Sequence, residues 1–316
     1  MGRDMLVEGE WRTDVEPSTD EDGAYDRAET SFRDWIRDAP DARFQPEAGR
    51  YHLYIARNCP WAHGAALTRR LAGLTDTITM DIVDPWREDE GWEFTPEKDG
   101  CTPDMVNGRA YLRDVYTTAD PAYTGRVSVP VLWDKQEATI VNNESIKIMR
   151  MFATEFDEIG HEGRDLYPVG YREEIDRILD DIYDSVNNGV YRAGFSDTQA
   201  AYDEAVTDVF DALDHWNEVL ADQRYLAGDR LMLADLRLFP TLIQFDHCYH
   251  TAFNCDRQYL HQYEHLWPYL RDLYQTPGFE ETVLIKHIKD EGYYQGGGSL
   301  PSAPTSISGP HTTVTG

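Results

Sequence analysis

The sequence of 316 residues is short of positive charge and above all of lysine. It contains 58 Asp plus Glu residues against 29 Lys plus Arg, a formal net charge of −29, and only five of the basic residues are Lys. Because nucleic-acid binding needs a basic surface, we expect no nucleic-acid partner. An acidic surface with little lysine indicates a protein adapted to concentrated salt, where repulsion between like charges is screened.

Long apolar runs are also missing. No stretch of 18 apolar residues occurs, so we expect no membrane-spanning helix and no membrane partner. The polar, acidic N-terminus lacks the apolar core of a secretory signal, so we expect a cytoplasmic protein. Apolar residues nevertheless make up 41% of the chain, which favours a globular core over a disordered chain.

Cysteine is scarce and scattered, at positions 59, 101, 248 and 255, with no CxxC pair. This pattern predicts free thiols in a reducing compartment rather than a disulfide framework. The stretch "DHCYHTAFNC", residues 246–255, contains residue types that zinc prefers but lacks the close pairs of closed zinc sites, so we expect no metal.

Residues 46–160 show the pattern of a compact α/β domain. The stretch 50–57 alternates and is rich in aromatic and branched side chains, which predicts a strand, and 75–84 predicts a second strand. Pro60 suits the first position of a helix that continues over residues 61–74.

A hairpin and a helix are predicted next. Strands are expected at 129–133 and 139–141 with a polar turn at 134–137, and a helix at 144–156. Together with a short helix near 109–120, these elements predict a domain built on a mixed four-stranded sheet.

The remainder of the chain has helical periodicity. From about Tyr171, apolar residues recur at i, i+3, i+4 and i+7, which predicts an all-α domain of five or six helices over residues 165–295. We expect residues 1–45 to form an N-terminal extension and the Gly-, Ser- and Pro-rich residues 296–316 to form a tail.

Cys59 stands directly before Pro60, at the predicted strand-to-helix turn. The free N–H groups and the positive end of the helix dipole favour a thiolate at that position, so Cys59 is a candidate nucleophile. The alternative is a small apolar residue packed at the turn, because free cysteine is commonly buried.

Two other motifs favour a thiol-binding site. In thioredoxin-like domains a proline that opens the third strand, commonly after a cis peptide, lies opposite the active cysteine, and Val129–Pro130 fits that position. Glu144 and Ser145 precede the next predicted helix, where N–H groups would meet a ligand carboxylate. An ordinary helix cap with an acidic first turn has the same composition.

Read together, these motifs resemble the xi-class glutathione transferases, or glutathionyl-hydroquinone reductases. The resemblance covers roughly residues 24–300 and is most specific in the combination of "NCPWAH", "VPVLWD", "IVNNES" and "NNGVYRAGF". It implies a thioredoxin-like N-terminal domain, an all-helical glutathione-transferase C-terminal domain and a homodimer. With the acidic composition, it also implies a halophilic archaeal origin.

The resemblance implies an activity as well: reduction of glutathionyl-hydroquinones to hydroquinones by a second thiol, through a mixed disulfide on Cys59. The residues that it implies for holding the thiol are Trp92, Val129, Pro130, Glu144 and Ser145. Tyr191 and Tyr293 would face the aromatic group, with Tyr294 as the alternative to Tyr293, and Tyr191 is a candidate proton donor. Core packing with a satisfied hydroxyl is the alternative for these tyrosines.

The sequence departs from the family pattern at two places. Gly64 replaces an arginine, and Met232 replaces the usual Ser or Thr cap, so Asp235 alone is expected to start its helix. The expected partners are a quinone-derived aromatic compound and a small thiol. That thiol is either glutathione or γ-glutamylcysteine, on which salt-adapted archaea are expected to rely.

Two other classes of function stay open at this stage. A general omega-like thiol transferase or reductive dehalogenase would use the same thiolate chemistry. A non-catalytic thioredoxin-like module with a helical partner domain would use the same fold for binding alone.

Overall fold

The computed structural model describes residues 5–15, 19–160 and 163–291, with the backbone alone at 290 and 291. The chain forms two compact units. The first is built mainly from the described residues of Ala28–Tyr167, with residues 5–15 and Thr282–His287. The second is built mainly from Pro168–Glu281, and it includes the segment that ends at Arg27. Tyr293, Tyr294 and the predicted tail lie outside the described residues.

A mixed four-stranded sheet forms the centre of the first unit, as predicted. Its strands, in the spatial order β4-β3-β6-β7, are β3 (Tyr51–Ile55), β4 (Thr79–Ile82), β6 (Val131–Asp134) and β7 (Thr139–Asn142). β3 pairs in parallel with β4 and antiparallel with β6, and β6 pairs antiparallel with β7. Every residue of β3 is buried, because this strand lies inside the sheet with both faces covered.

Three helices belong to the same unit: α1 (Pro60–Leu71), α2 (Leu112–Ala119) and α3 (Ser145–Thr154). Pro60 is the first residue of α1, and Arg69 and Arg70 in its last turn suit the negative end of the helix dipole. Gly73, with φ of 72°, ends the helix as glycine commonly does. α1 packs against α3, so the start of α1 is fixed within the core of the unit.

The first unit also contains a small second sheet, which the sequence pattern does not predict. β1 (Met5–Val7) and β2 (Glu10–Arg12) form a hairpin, and β1 also pairs with β5 (Gly125–Arg126). Glu8 and Gly9 both have positive φ, at 51° and 81°, the conformation that suits a two-residue hairpin turn. A Cβ at Gly9 would lie 2.0 Å from the Pro121 carbonyl oxygen, so this turn requires glycine.

The strand predicted at 75–84 is shorter than expected. Residues 75–78 form turns instead, with the Thr77 amide bonded to the Leu74 carbonyl at 3.1 Å, and only Thr79–Ile82 pair as a strand. The chain needs those turns to return from the end of α1 to the sheet.

The second unit is helical, as predicted. Its helices are α4 (Arg172–Ile182), α5 (Gly189–Gly194), α6 (Gln199–Asp222), α7 (Leu233–Gln244), α8 (His250–Ala252) and α9 (Leu266–Gln275), and α10 (Ile285–Glu291) begins in the first unit and ends in the second. Two π-helical turns lie between helices: Tyr183–Asn187 lies between α4 and α5, and Phe245–Tyr249 lies between α7 and α8. Short 3₁₀ turns occur at Val169–Tyr171, Leu260–Gln262 and Glu280–Thr282.

Asp235, the third residue of α7, caps the start of that helix, as the sequence predicts. Its buried carboxylate accepts hydrogen bonds from the amides of Leu226 at 3.0 Å and Met232 at 2.9 Å and from the Tyr269 hydroxyl at 2.8 Å. Burial nevertheless raises the pKa of Asp235 to about 6. Within the described part of the chain, no helix has the length and apolar character needed to cross a bilayer.

Candidate functional site

The candidate site of the first unit begins at Cys59, which directly precedes α1. Its backbone is extended, with φ of −86° and ψ of 112°, and its side chain is partly exposed. The amide groups at the start of α1 favour an anion here, because they form the positive end of the helix dipole. Cys59 therefore combines access to solvent with an environment that favours a thiolate.

The cysteine faces the residue before a cis proline. The Val129–Pro130 peptide bond is cis, and Cys59 Sγ donates a hydrogen bond to the Val129 carbonyl at 3.5 Å. This bond stabilises the protonated thiol, whereas the helix amides stabilise the anion.

Two buried cysteines have the opposite character. Burial raises the pKa of the Cys248 thiol and raises that of Cys255 to about 12. Cys101 is partly exposed and donates to the Val83 carbonyl at 3.7 Å, but it lies in a loop rather than at a helix start. Among the four cysteines, Cys59 therefore has the geometry of a nucleophile.

The "NNES" motif forms the turn before α3. Glu144 caps the helix with extended backbone and accepts a hydrogen bond from the Thr30 hydroxyl at 3.4 Å, and Ser145 is the buried first residue of the helix. The Asn142 side chain accepts from the Glu144 amide at 2.7 Å. Asn142 therefore stabilises the turn. Glu144 and the first amides of α3 follow the end of β7.

A buried tyrosine joins this turn to the cis-proline turn. The Tyr116 hydroxyl donates to the Ser128 carbonyl at 2.8 Å and accepts from the Ser128 amide at 3.3 Å and from Asn143 Nδ2 at 3.1 Å. Ser128 and Asn143 directly precede Val129 and Glu144. One hydroxyl therefore fixes the spacing of the two turns that the sequence analysis assigns to thiol binding.

Trp92 lies in the loop after β4. Its indole is 8% exposed, and its Nε1 has no hydrogen-bond partner among the described residues. The Arg87 guanidinium carbon lies 5.0 Å from the indole ring centroid. The same loop is tied to the cysteine turn, because Asn58 Nδ2 donates to the Pro85 carbonyl at 2.9 Å. An unpaired indole N–H is suited to donate to a ligand.

His63 and Arg57 anchor a C-terminal segment beside the start of α1. His63 Nε2 lies 2.8 Å from the Thr282 hydroxyl, and Arg57 donates to the Thr282 carbonyl at 3.2 Å. Burial lowers the pKa of His63 to about 3, so this histidine is neutral near pH 7 and cannot serve as a cation for the thiolate.

Tyr191 belongs to the second unit, where it lies in α5 and is 4% exposed. Its ring packs among Phe195, Tyr249 and Phe253, with centroid separations of 6.0, 5.9 and 5.5 Å. A Cβ at Gly194 would lie 2.3 Å from Phe253, so the glycine of "YRAGF" permits this packing.

The zinc-like residue types of 246–255 do not form a metal site in the described residues. No group of three or more His, Cys, Asp or Glu side chains is arranged there to hold a metal ion. Asp246 instead accepts from the Leu260 and His261 amides, which ties the π-helical turn to the following loop.

Several contacts of the site cannot be predicted from local sequence patterns. Tyr116, Thr30 and Asn58 act through partners 12 to 114 residues away in the chain, and no local pattern indicates such partners. Asn142 is the exception, because its side chain accepts from the amide two residues further on, and asparagines commonly stabilise turns in this way.

Comparisons with known proteins agree with this geometry. Residues 58–155 match the model of the glutathione S-transferase N-terminal domain, and residues 199–272 match that of the C-terminal domain. The glutathionyl-hydroquinone reductase YqjG of Escherichia coli K12 is 43% identical over 292 residues, which cover 90% of this chain and 89% of the relative.

Solved structures give the same family. The xi-class transferase of Natrialba magadii is 55% identical with a TM-score of 0.86, and the match covers 99% of this chain and 92% of the other. The glutathione-bound structure of YqjG is 42% identical with a TM-score of 0.82, and the match covers 92% of this chain and 90% of the other. The chain therefore belongs to the glutathione S-transferases, in the xi class that contains the glutathionyl-hydroquinone reductases.

Proposed function

We propose that the protein is a thiol-dependent reductase that cleaves glutathionyl-hydroquinone thioethers to hydroquinones. The observation that carries the proposal is Cys59: a partly exposed thiol at a helix start, opposite a cis proline, in a chain 43% identical to a named glutathionyl-hydroquinone reductase. A single cysteine is sufficient for this chemistry because a second, diffusible thiol resolves the intermediate.

The proposed reaction has two steps. The Cys59 thiolate attacks the thioether sulfur, a mixed disulfide forms, and the carbon–sulfur bond breaks. The electron pair of that bond takes a proton from the Tyr191 hydroxyl, which gives the hydroquinone and a tyrosinate that water reprotonates. A second thiolate then attacks the mixed disulfide, releases a small-molecule disulfide and restores Cys59.

The thiol-binding roles remain part of the proposal. We assign the thiol to Trp92, Val129, Pro130, Glu144 and Ser145 and the aromatic group to Tyr191 and Tyr293. The unpaired Trp92 indole N–H and the helix start at Ser145 support the first assignment. The aromatic surroundings of Tyr191 support the second.

Glutathione is the cosubstrate that the glutathione-bound relatives support. γ-Glutamylcysteine is the alternative, because Gly64 replaces the arginine of the family pattern and the host is proposed to be salt-adapted. Comparing kcat/KM for the two thiols decides between them, and a strong preference for glutathione would remove the alternative.

The test of the function is turnover of a synthetic glutathionyl-hydroquinone, followed by chromatography of the hydroquinone. The wild type and Cys101→Ser are expected to be active, because Cys101 is partly exposed but not at a helix start. Cys59→Ser is expected to be inactive. Equal activity of Cys59→Ser and Cys101→Ser would contradict the proposal.

The same experiment separates the other functions. Turnover of mixed disulfides or halogenated hydroquinones without thioether cleavage would indicate a general omega-like thiol transferase or a dehalogenase. Ligand binding that survives in Cys59→Ser, with no turnover by the wild type, would indicate a non-catalytic binding module.

Four properties of the whole protein complete the proposal. We propose a halophilic archaeal host, on the net charge of −29 and the Natrialba relative. A cytoplasmic location is supported by the four free cysteines.

A homodimer is tested by a solution mass of twice 36.3 kDa. The domain limits 46–160 and 165–295, with the extension 1–45 and the tail 296–316, are tested by limited proteolysis.

A further inference from the structure

A short N-terminal segment, residues 19–27, packs on the second unit. The Thr198 hydroxyl donates to the Asp22 carbonyl at 2.9 Å, and the Asp197 amide donates to the Gly23 carbonyl at 2.9 Å. A Cβ at Gly23 would lie 2.6 Å from the Thr198 methyl group, so the segment approaches this turn as closely as a glycine allows. These contacts fix the segment against the turn between α5 and α6.

The last residue of this segment, Arg27, makes two contacts with the Tyr191 region. Its guanidinium carbon lies 4.9 Å from the Tyr191 ring centroid, and its Nε donates to Asn188 Oδ1 at 2.8 Å. Asn188 directly precedes α5, and its carbonyl accepts from the Tyr191 amide at 3.0 Å. One arginine therefore holds both the ring of Tyr191 and the turn that fixes its backbone.

We propose that Arg27 is a positioning residue for Tyr191 in the reductase reaction, an inference that rests on the proposed function. Tyr191 is neutral before it gives its proton to the leaving carbon and negative afterwards. A cation over the ring face interacts with the neutral ring and more strongly with the anion, so Arg27 stabilises the state after proton transfer more than the state before it. The effect of Arg27 is then on kcat rather than on thiol binding.

Arginine suits this position better than lysine. Its planar guanidinium can cover the ring and donate from Nε to Asn188 in one fixed geometry, whereas a lysine ammonium offers a point charge on a flexible stem. Arg27→Lys is therefore expected to keep part of the function that Arg27→Gln loses.

The test measures kcat and the thiol KM of Arg27→Gln, Arg27→Lys, Tyr191→Phe and the double variant Arg27→Gln/Tyr191→Phe. Arg37→Gln is the matched control, because Arg37 is exposed, lies 6.0 Å from the Trp35 ring centroid and carries the same charge. We expect Arg27→Gln to lower kcat about tenfold with an unchanged thiol KM, and Arg27→Lys about threefold. Arg37→Gln is expected to match the wild type.

The double variant shows whether Arg27 acts through Tyr191. In the Tyr191→Phe background we expect Arg27→Gln to cause no further loss, because the hydroxyl that it supports is already gone. A full additional tenfold loss would overturn the inference, and so would Arg27→Gln with the kcat of Arg37→Gln. If Arg27→Gln does not fold, as judged by circular dichroism, Arg27→Lys carries the test, and wild-type kcat in that variant would overturn the inference.

Failure of the proposed function would be visible separately. An inactive wild type, or Tyr191→Phe with wild-type kcat, contradicts the reductase mechanism itself. An active wild type and an impaired Tyr191→Phe, together with unaffected Arg27 variants, contradict only the role of Arg27.

Discussion

At the scale of single residues, the candidate thiol site depends on a side chain outside the set assigned to thiol binding. The Tyr116 hydroxyl is completely buried and bonds to the residues directly before Val129 and Glu144. Its loss would leave the Ser128 backbone and the buried Asn143 amide without this partner, and an unsatisfied buried group costs about 1–3 kcal/mol. The geometry of both turns therefore depends on one oxygen atom.

Tyr116→Phe is predicted to raise the KM for the thiol severalfold while kcat changes less, because the variant loosens the two binding turns but leaves Cys59 and Tyr191 in place. Steady-state kinetics with varied thiol concentration measure this split. Tyr123→Phe is the control, since the Tyr123 hydroxyl bonds to the Arg126 carbonyl at 3.1 Å and its ring packs on Tyr116. Equal thiol KM values for the two variants would contradict the prediction.

Residues of the site differ in how far sequence predicts them. Cys59 and Pro130 stand in local patterns with a physical meaning, and the structure has the cysteine at a helix start and the proline in a cis bond. Tyr116 and Arg27 carry no such pattern, because their partners lie far away in the chain. Their roles follow from tertiary packing alone.

At the scale of helices, the start of α7 has a pH-dependent element. Burial raises the pKa of Asp235 to about 6, above its ordinary value of 3.8. The folded protein therefore holds the proton more tightly than the unfolded chain does. The protonated Asp235 carboxyl therefore contributes to the free energy of unfolding below about pH 4, and this contribution is lost as the pH rises through about 6.

We predict that the free energy of unfolding of the wild type, relative to that of Asp235→Asn, falls by about 2 kcal/mol between pH 4 and pH 7. The amide cannot ionise, so the difference isolates this carboxyl from the other acidic residues. Chemical unfolding at constant high salt measures it. Asp229→Asn, which alters an exposed carboxyl nearby, is expected to show no such change, and a flat difference for Asp235→Asn would contradict the prediction.

The end of α5 supports a second prediction at this scale. A methyl group at Gly194 would lie 2.3 Å from the Phe253 ring, which packs on Tyr191. Gly194→Ala is therefore predicted to lower the free energy of unfolding by about 1–3 kcal/mol and to lower kcat. Gly170→Ala, where nothing lies within 4 Å, is the control, and similar values for both variants would contradict the steric explanation.

Helices and strands were predictable to different degrees. The helices of the second unit have long apolar periodicity, and the central strands are buried runs, so both were predicted in type and approximate position. The hairpin β1–β2 was missed because three-residue strands are too short for a period. The π-helical turns were missed because one extra residue in a helix leaves no compositional trace.

At the scale of the whole molecule, acidic residues outnumber basic ones two to one. Repulsion among these charges favours the expanded, unfolded chain when salt does not screen it. The screening length falls from about 10 Å at 0.1 M to about 3 Å at 1 M salt. Most of the stabilisation by salt is therefore expected between 0.1 and 1 M.

We predict that the thermal unfolding midpoint rises steeply with KCl between 0.1 and 1 M and less steeply above 1 M. Circular dichroism or scanning calorimetry at each concentration measures the midpoint. An uncharged osmolyte at matched osmolality is expected to raise the midpoint much less, because it does not screen charge. A midpoint independent of KCl would contradict the proposed salt adaptation.

Neither unit is a single continuous piece of chain. The segment ending at Arg27 belongs with the helical residues, and Thr282–His287 belongs with the sheet, where Thr282 bonds to His63 and Arg57. A chimaera that exchanges halves between relatives at one crossover point would therefore separate each unit from part of itself. Swapping the first unit intact requires three exchanged fragments, one of them from near each end of the chain.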